Sequence, residues 1–264
     1  MVLLSVAIVI ALLVTIGLPI AAGIWLNKHA QVPWRVITYG ALGYFVVQAL
    51  MTFVLIGFTA LVENSTPSFS ERAFFIAQLA LSILIGALLG VIIRWAGMKY
   101  LKEPLVSLEA AFGIGVGYGG IESIVRVGLP LMMTFFSMVS NLNIDPQTTT
   151  LEPEILTQLE ALWQVQAYVP LVGSLERVAA LVMHITVTLL ILQAFTQKNN
   201  LWLGAAVGLE VLINGLIVGL AEAGLPYGWV ILLSLVLMAG NIYLLSRLNG
   251  INIFSQQADD DHVI

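Results

Sequence analysis

The sequence predicts an all-α, polytopic bundle of about seven transmembrane helices, and three observations predict it. Of 264 residues 59% are hydrophobic and 9% charged, where soluble domains carry roughly 45–50% and about 25%. The apolar residues fall in long unbroken runs rather than in the alternating or one-sided patterns of soluble strands and helices. The Lys and Arg residues gather in alternate connections between those runs. So few charges leave no solvated shell for a soluble enzyme, no composition for a disordered chain and no basic face for DNA or RNA, so no nucleic-acid partner is expected. The formal net charge is −5, and Asp259, Asp260 and Asp261 contribute to it from a polar tail. Cysteine is absent, which removes disulfides, thiolate chemistry and Cys-ligated metals.

A hydrocarbon core about 30 Å thick needs roughly 20 apolar helical residues. The runs that meet this cover about 2–26, 36–62, 73–97, 106–139, 172–196, 201–223 and 226–246. The first has no basic segment before it and exceeds the apolar part of a signal peptide, so it reads as a mature span. The fourth is long, yet dividing it at its glycines leaves halves too short to cross, so one helix kinked at Pro130 is expected. In the long connection over 140–171, Ile155, Leu156, Leu159, Leu162 and Trp163 recur at spacings of three and four, opposite Glu152, Glu154, Glu160 and Gln164. That pattern predicts an amphipathic helix over about 151–166. No internal repeat is visible. Residues 1–247 therefore form one transmembrane domain, followed by a polar acidic tail over 248–264.

With the N-terminus outside, the inner segments and helix ends hold Lys28, Arg35, Arg94, Lys99, Lys102, Lys198 and Arg247, and the outer ones only Arg72. This bias predicts an outside N-terminus and a cytosolic C-terminus. Trp25, Trp34, Trp95, Trp202 and Trp229 lie near span ends as an interfacial belt, and Glu109 and Glu222 read as interfacial and solvated. The expected setting is a cell membrane, with membrane lipids as the first partners.

An ionisable group at the bilayer centre costs about 2.5–3.5 kcal/mol on insertion scales, so such groups persist where they pair or work. Here they concentrate in three spans: Glu122 and Arg126 in the fourth, Glu176, Arg177 and His184 in the fifth, Glu210 and Asn214 in the sixth. Residues four apart share a helix face, as Glu122 and Arg126 do, and Glu210 and Asn214. Arg177 and His184, seven apart, share nearly one azimuth, and His184 and Asn214 lie at similar depth from the outer side, where they could meet. One polar site shared by the three helices is the expectation. The glycines of GIGVGYGG, Gly113 to Gly120, precede Glu122. They contain G-x-G-x-x-G, but outside a βαβ unit that string means close helix packing rather than a nucleotide.

The segments GYGGIES at 117–123, with Glu122 and Arg126 as E-x-x-x-R, LERVAALVMH at 175–184 and LEVLIN at 209–214 resemble the YhfC family of bacterial intramembrane peptidases. That family is similar to the CAAX-type prenyl-protein endopeptidases and bacteriocin-processing membrane proteins. Such proteins place a glutamate and an arginine on one helix, a histidine on the next, and a histidine followed four residues later by Asn or Asp on a third. The resemblance implies site roles for Glu122, Arg126, Glu176, Arg177, His184, Glu210 and Asn214. Two positions depart from the pattern: Glu210 stands where histidine is expected, and Ile121 precedes Glu122 where paired glutamates are usual.

Peptide hydrolysis needs a water, a base and a group to hold the oxyanion. Glu122 is the candidate base, His184 the orienting or proton-donating group, and Asn214 the oxyanion donor. A divalent metal such as zinc would draw on His184, Glu122 and Glu210, an oxygen-rich set with a single histidine, which favours a metal-independent glutamate mechanism. The implied substrate is a membrane-embedded or lipid-modified peptide or lipoprotein. The alternatives from the same residues are local structural ion pairs, Glu122 with Arg126 and Glu176 with Arg177, in a non-catalytic relative that binds partners, or a carrier with Glu122, His184 and Glu210 as a proton relay.

Overall fold

The computed structural model describes residues 1–65, 70–100, 106–141, 152–224 and 227–249. The tail beyond 249 and Lys102 lie outside the described residues. In chain order the helices are α1 (Val2–Leu12), α2 (Leu18–His29), α3 (Trp34–Ser65), α4 (Glu71–Tyr100), α5 (Leu108–Ser123), α6 (Leu129–Ser140), α7 (Pro153–Trp163), α8 (Tyr168–Thr196), α9 (Leu201–Glu222) and α10 (Tyr227–Asn249). Among the described residues there is no strand. Among the described residues six stretches are long and apolar enough to cross a membrane: Val2–His29, Trp34–Val62, Glu71–Tyr100, Leu108–Ser140, Tyr168–Thr196 and Leu201–Leu220. The seventh expected span forms a shorter apolar segment, Ile231–Arg247, within α10. The fold is an all-α polytopic bundle. The amphipathic segment is helix α7, somewhat shorter than the pattern suggests.

Two spans are single helices interrupted by a five-residue π turn, Leu13–Gly17 between α1 and α2 and Ile124–Gly128 between α5 and α6. Pro130 is at the start of α6, so the irregularity lies in the turn before it rather than at the proline. The reason is covalent: a proline has no N–H for the carbonyl four residues back, and the chain takes i→i−5 bonds instead, Leu18 N–H to Leu13 O and Leu129 N–H to Ile124 O. Both turns end in the same words, Val14-Thr15-Ile16-Gly17-Leu18-Pro19 and Val125-Arg126-Val127-Gly128-Leu129-Pro130. They pack together, with Gly128 against Ile16. Ser123 Oγ donates to Thr15 O at 2.9 Å, which caps the carbonyl that Pro19 leaves without a donor.

α8 is the central helix: 61% of its membrane window is buried, against 33% or less in the other spans. It packs against α1, α4, α5, α9 and α10. α5 sits between α3 and α8, and its glycines make that position possible. A Cβ at Gly117 would strike the backbone of Ile37, and one at Gly115 would lie 2.7 Å from Ile185 Cα. This is the small-residue contact expected of GIGVGYGG. The α5 N-terminus is capped by Ser107, whose side chain accepts from Ala110 N at 3.1 Å. Away from the core, Phe53, Ile56, Leu42 and Val236 are exposed, as suits side chains that face lipid.

Candidate functional site

Glu122 is the penultimate residue of α5, just ahead of Ser123 and the π turn, and His184 sits midway along α8. The close approach of the two helices brings His184 Nε2 to 2.8 Å from Glu122 Oε2. A Cβ at Gly119 would lie 3.0 Å from His184 Cδ2, so glycine there leaves room for the imidazole. The second oxygen, Oε1, faces two guanidinium groups, Arg126 Nη1 at 3.2 Å and Arg177 Nη1 at 3.6 Å. With both cations on the carboxylate, Glu122 is the acceptor and Nε2–H of His184 the donor.

Glu210 of α9 forms a second charged centre. It is 4% exposed, and its Oε2 meets Arg94 Nη2 at 2.5 Å. Arg94, on α4, is fully buried; its Nε donates to Gly90 O at 2.8 Å, and its Cζ lies 4.6 Å above the Tyr118 ring. Tyr118 in turn stands 5.0 Å from the His184 ring, centroid to centroid. Glu210 Oε1 is 3.9 Å from His184 Nδ1, beyond hydrogen-bond reach, and Nδ1 has no hydrogen-bond partner. His184 therefore lies between two carboxylates, one on each ring nitrogen.

All seven residues singled out from the sequence line one cavity of about 430 Å³ among α3, α4, α5, α8, α9 and α10. Their contacts correct several expectations. Arg177 pairs with Glu122 rather than with its neighbour Glu176, because adjacent residues on a helix point about 100° apart. Glu176 reaches the cavity without an ion pair within 4.0 Å among the described residues. Asn214 also lines the cavity, but it makes no hydrogen bond to His184. Arg94, counted among the inner segments and helix ends, is a core cation, since α9 packs over it and gives it Glu210 as partner. Sequence reading placed it at an inner helix end, and the one available signal was an arginine inside an apolar run six residues before Tyr100. Tyr118 was legible only as part of the glycine string.

A family model described as "YhfC intramembrane metalloprotease" matches residues 10–235. The chain belongs to the YhfC family. A relative, the "Uncharacterized membrane protein YhfC" of Bacillus subtilis (strain 168), is 23% identical over 205 residues, covering 75% of this chain and 77% of the relative. With its membrane-crossing helices, this YhfC-family chain is an integral membrane protein.

The family's description implies a metal, and the donors in this chain do not fit one. Among the described residues no group of three or more His, Asp and Glu is arranged to hold an ion. The expected set of His184, Glu122 and Glu210 fails as one coordination sphere because the carboxylates approach opposite ring nitrogens. A catalytic zinc usually takes three protein ligands, whereas either nitrogen of His184 has one carboxylate beside it. Each carboxylate is also already matched by arginine, and a divalent cation beside those guanidinium groups would be repelled.

Proposed function

We propose that this YhfC-family protein is an intramembrane peptidase of the bacterial plasma membrane that hydrolyses a membrane-embedded or lipid-modified peptide with Glu122 as base. The observation that carries this reading is the dyad of Glu122 and His184, 2.8 Å apart on the wall of a cavity between membrane-crossing helices. Charges placed there without work to do would be costly to the fold.

In this reading Glu122 takes a proton from a water as the water oxygen bonds to the scissile carbonyl carbon. The carbonyl electrons move onto oxygen, and the oxyanion is held by Arg126, the more exposed of the two guanidinium groups, and by the side-chain amide of Asn214. The C–N bond then breaks, and the proton held by Glu122 passes to the departing amine. His184, donating through Nε2, orients the carboxylate. The N-terminus lies outside and α7 is a connector on that face. No step passes through a metal, for the donor-set reasons above.

The test is product formation by the purified chain in lipid nanodiscs against labelled apolar peptides. Glu122→Gln and His184→Ala each abolish cleavage on this reading, with a general base and its partner contributing about 10²–10⁴-fold. A proton-coupled carrier would make no product and would lose pH-dependent uptake in the same variants, an outcome that sinks the peptidase reading.

A further inference from the structure

Two buried polar atoms on the cavity wall belong to neither charged centre. Ser234 Oγ and Asn241 Oδ1 have no hydrogen-bond partner, although Ser234 is 2% and Asn241 3% exposed. Both residues line the cavity from α10, with Leu237 and Met238 between them. Seven residues apart on a helix, they share an azimuth to within about 20° and are separated by about 10 Å along the axis. Asn241 Nδ2 donates one N–H to Leu237 O at 2.9 Å, which orients the amide, and its carbonyl oxygen is left without a partner. The stripe thus offers an acceptor at one end, a hydroxyl at the other and apolar contact between.

A buried acceptor without a partner is costly unless the site is built to receive a donor. An acyl or isoprenoid chain has no N–H, and the ammonium or hydroxyl donors of a phospholipid belong to the headgroup layer rather than to the middle of a span. An extended peptide has both groups. The N–H of one residue and the C=O of the second residue after it point to the same side of the strand, at roughly 9 Å. That spacing is close to the axial separation of about 10 Å between Asn241 and Ser234.

We propose that α10 carries a backbone-reading subsite, in which Asn241 Oδ1 accepts a substrate amide N–H and Ser234 Oγ donates to the carbonyl two residues further along. The inference rests on the peptidase reading for the identity of its ligand. Asn241 lies beyond the family match over residues 10–235, so the family resemblance does not assign it.

The test uses the full chain carrying Glu122→Gln in nanodiscs, so that binding is read without turnover. The probes are a dansylated hexapeptide of alternating leucine and alanine, the same peptide N-methylated at one amide at a time, and a dansylated dodecyl chain. Adding Asn241→Leu weakens the parent peptide about five- to tenfold, the value of one hydrogen bond, and leaves the dodecyl probe unchanged. One N-methyl position costs a similar factor when Asn241 is present and nothing when it is leucine. Ser234→Ala, the milder variant, weakens the peptide and not the dodecyl probe. Equal losses for peptide and dodecyl probe, or no N-methyl position coupled to Asn241, overturn the subsite. Coupling without cleavage by the Glu122-intact chain keeps the subsite and removes the peptidase reading; cleavage without coupling does the reverse. If the peptide does not bind at all, both fall.

Discussion

Removing the charge of Glu210 is the sharpest perturbation the structure offers, because its partner Arg94 is fully buried. Their polar atoms meet at 2.5 Å, which puts the charge centres about 4 Å apart. At an effective dielectric of about 20 the attraction is then about 4 kcal/mol. Desolvation offsets much of that in the intact pair, so the pair's net contribution is small. Breaking it is another matter: Glu210→Gln leaves a guanidinium without a counter-charge, and Arg94→Met leaves a carboxylate, each costing about 3–5 kcal/mol. The double variant Arg94→Met/Glu210→Met removes both charges at similar volume and lies closer to the wild type than either single variant, with a coupling of about 3 kcal/mol or more. Reversible unfolding of the purified chain in mixed micelles measures all four corners of the cycle. Additive losses, with coupling below about 0.5 kcal/mol, would falsify the claim that the two groups neutralise each other in the core. The double variant also separates stability from chemistry, since it restores the fold while removing the carboxylate beside His184 Nδ1.

Gly119→Ala brings a methyl to 3.0 Å from His184 Cδ2; it is expected to lower turnover by about 10²-fold through displacement of the imidazole, with peptide binding retained, and unchanged turnover would show that the ring position is not critical. Ser123→Ala withdraws the hydroxyl from the Thr15 carbonyl and should destabilise the chain by about 1–3 kcal/mol. Pro19→Ala, which returns an N–H to that turn, is expected to shrink the penalty; an equal loss in both backgrounds refutes the capping role. Cleavage activity should survive dialysis against EDTA and 1,10-phenanthroline, and a loss restored by added zinc would overturn the donor-set argument.

Much of the bundle was legible because a bilayer imposes length and apolarity on each crossing segment directly. The site was legible for a related reason: ionisable residues inside apolar runs are rare enough to mark themselves, and Glu122, Arg126, Glu176, Arg177, His184, Glu210 and Asn214 all line one cavity. Arg94 was misread because position along a helix does not report which neighbour covers it; only the packing of α9 on α4 turns a terminal cation into a core one. The partner of Arg177 was equally invisible, since helix geometry excludes Glu176 without revealing that Glu122 is the carboxylate in reach. The π turns escaped because Gly-Leu-Pro suggests a kink at the proline, whereas the missing N–H is felt one turn earlier, at Thr15 and Arg126.

The distribution of charge around the dyad favours one kind of chemistry. Arg94, Arg126 and Arg177 face Glu122 and Glu210, and Glu176 lies on the same cavity, so three cations match three carboxylates when His184 is neutral. The match is uneven in space. Arg94 is neutralised by Glu210 on the cavity lining, while Glu122 alone answers both Arg126 and Arg177. The surface at the dyad is therefore locally cationic by one unit. A divalent ion arriving there would add to that excess, whereas an oxyanion forming on a substrate carbonyl as Glu122 takes up its proton would replace the carboxylate's charge before the two guanidinium groups. Arg126, hydrogen-bonded to Glu122 Oε1 at 3.2 Å, has 56% of its side chain exposed, whereas Arg177, 3.6 Å from the same oxygen, has 21%. On the proposed mechanism the more exposed Arg126 would meet charge developing on a substrate carbonyl, while the more buried Arg177 would stay beside Glu122.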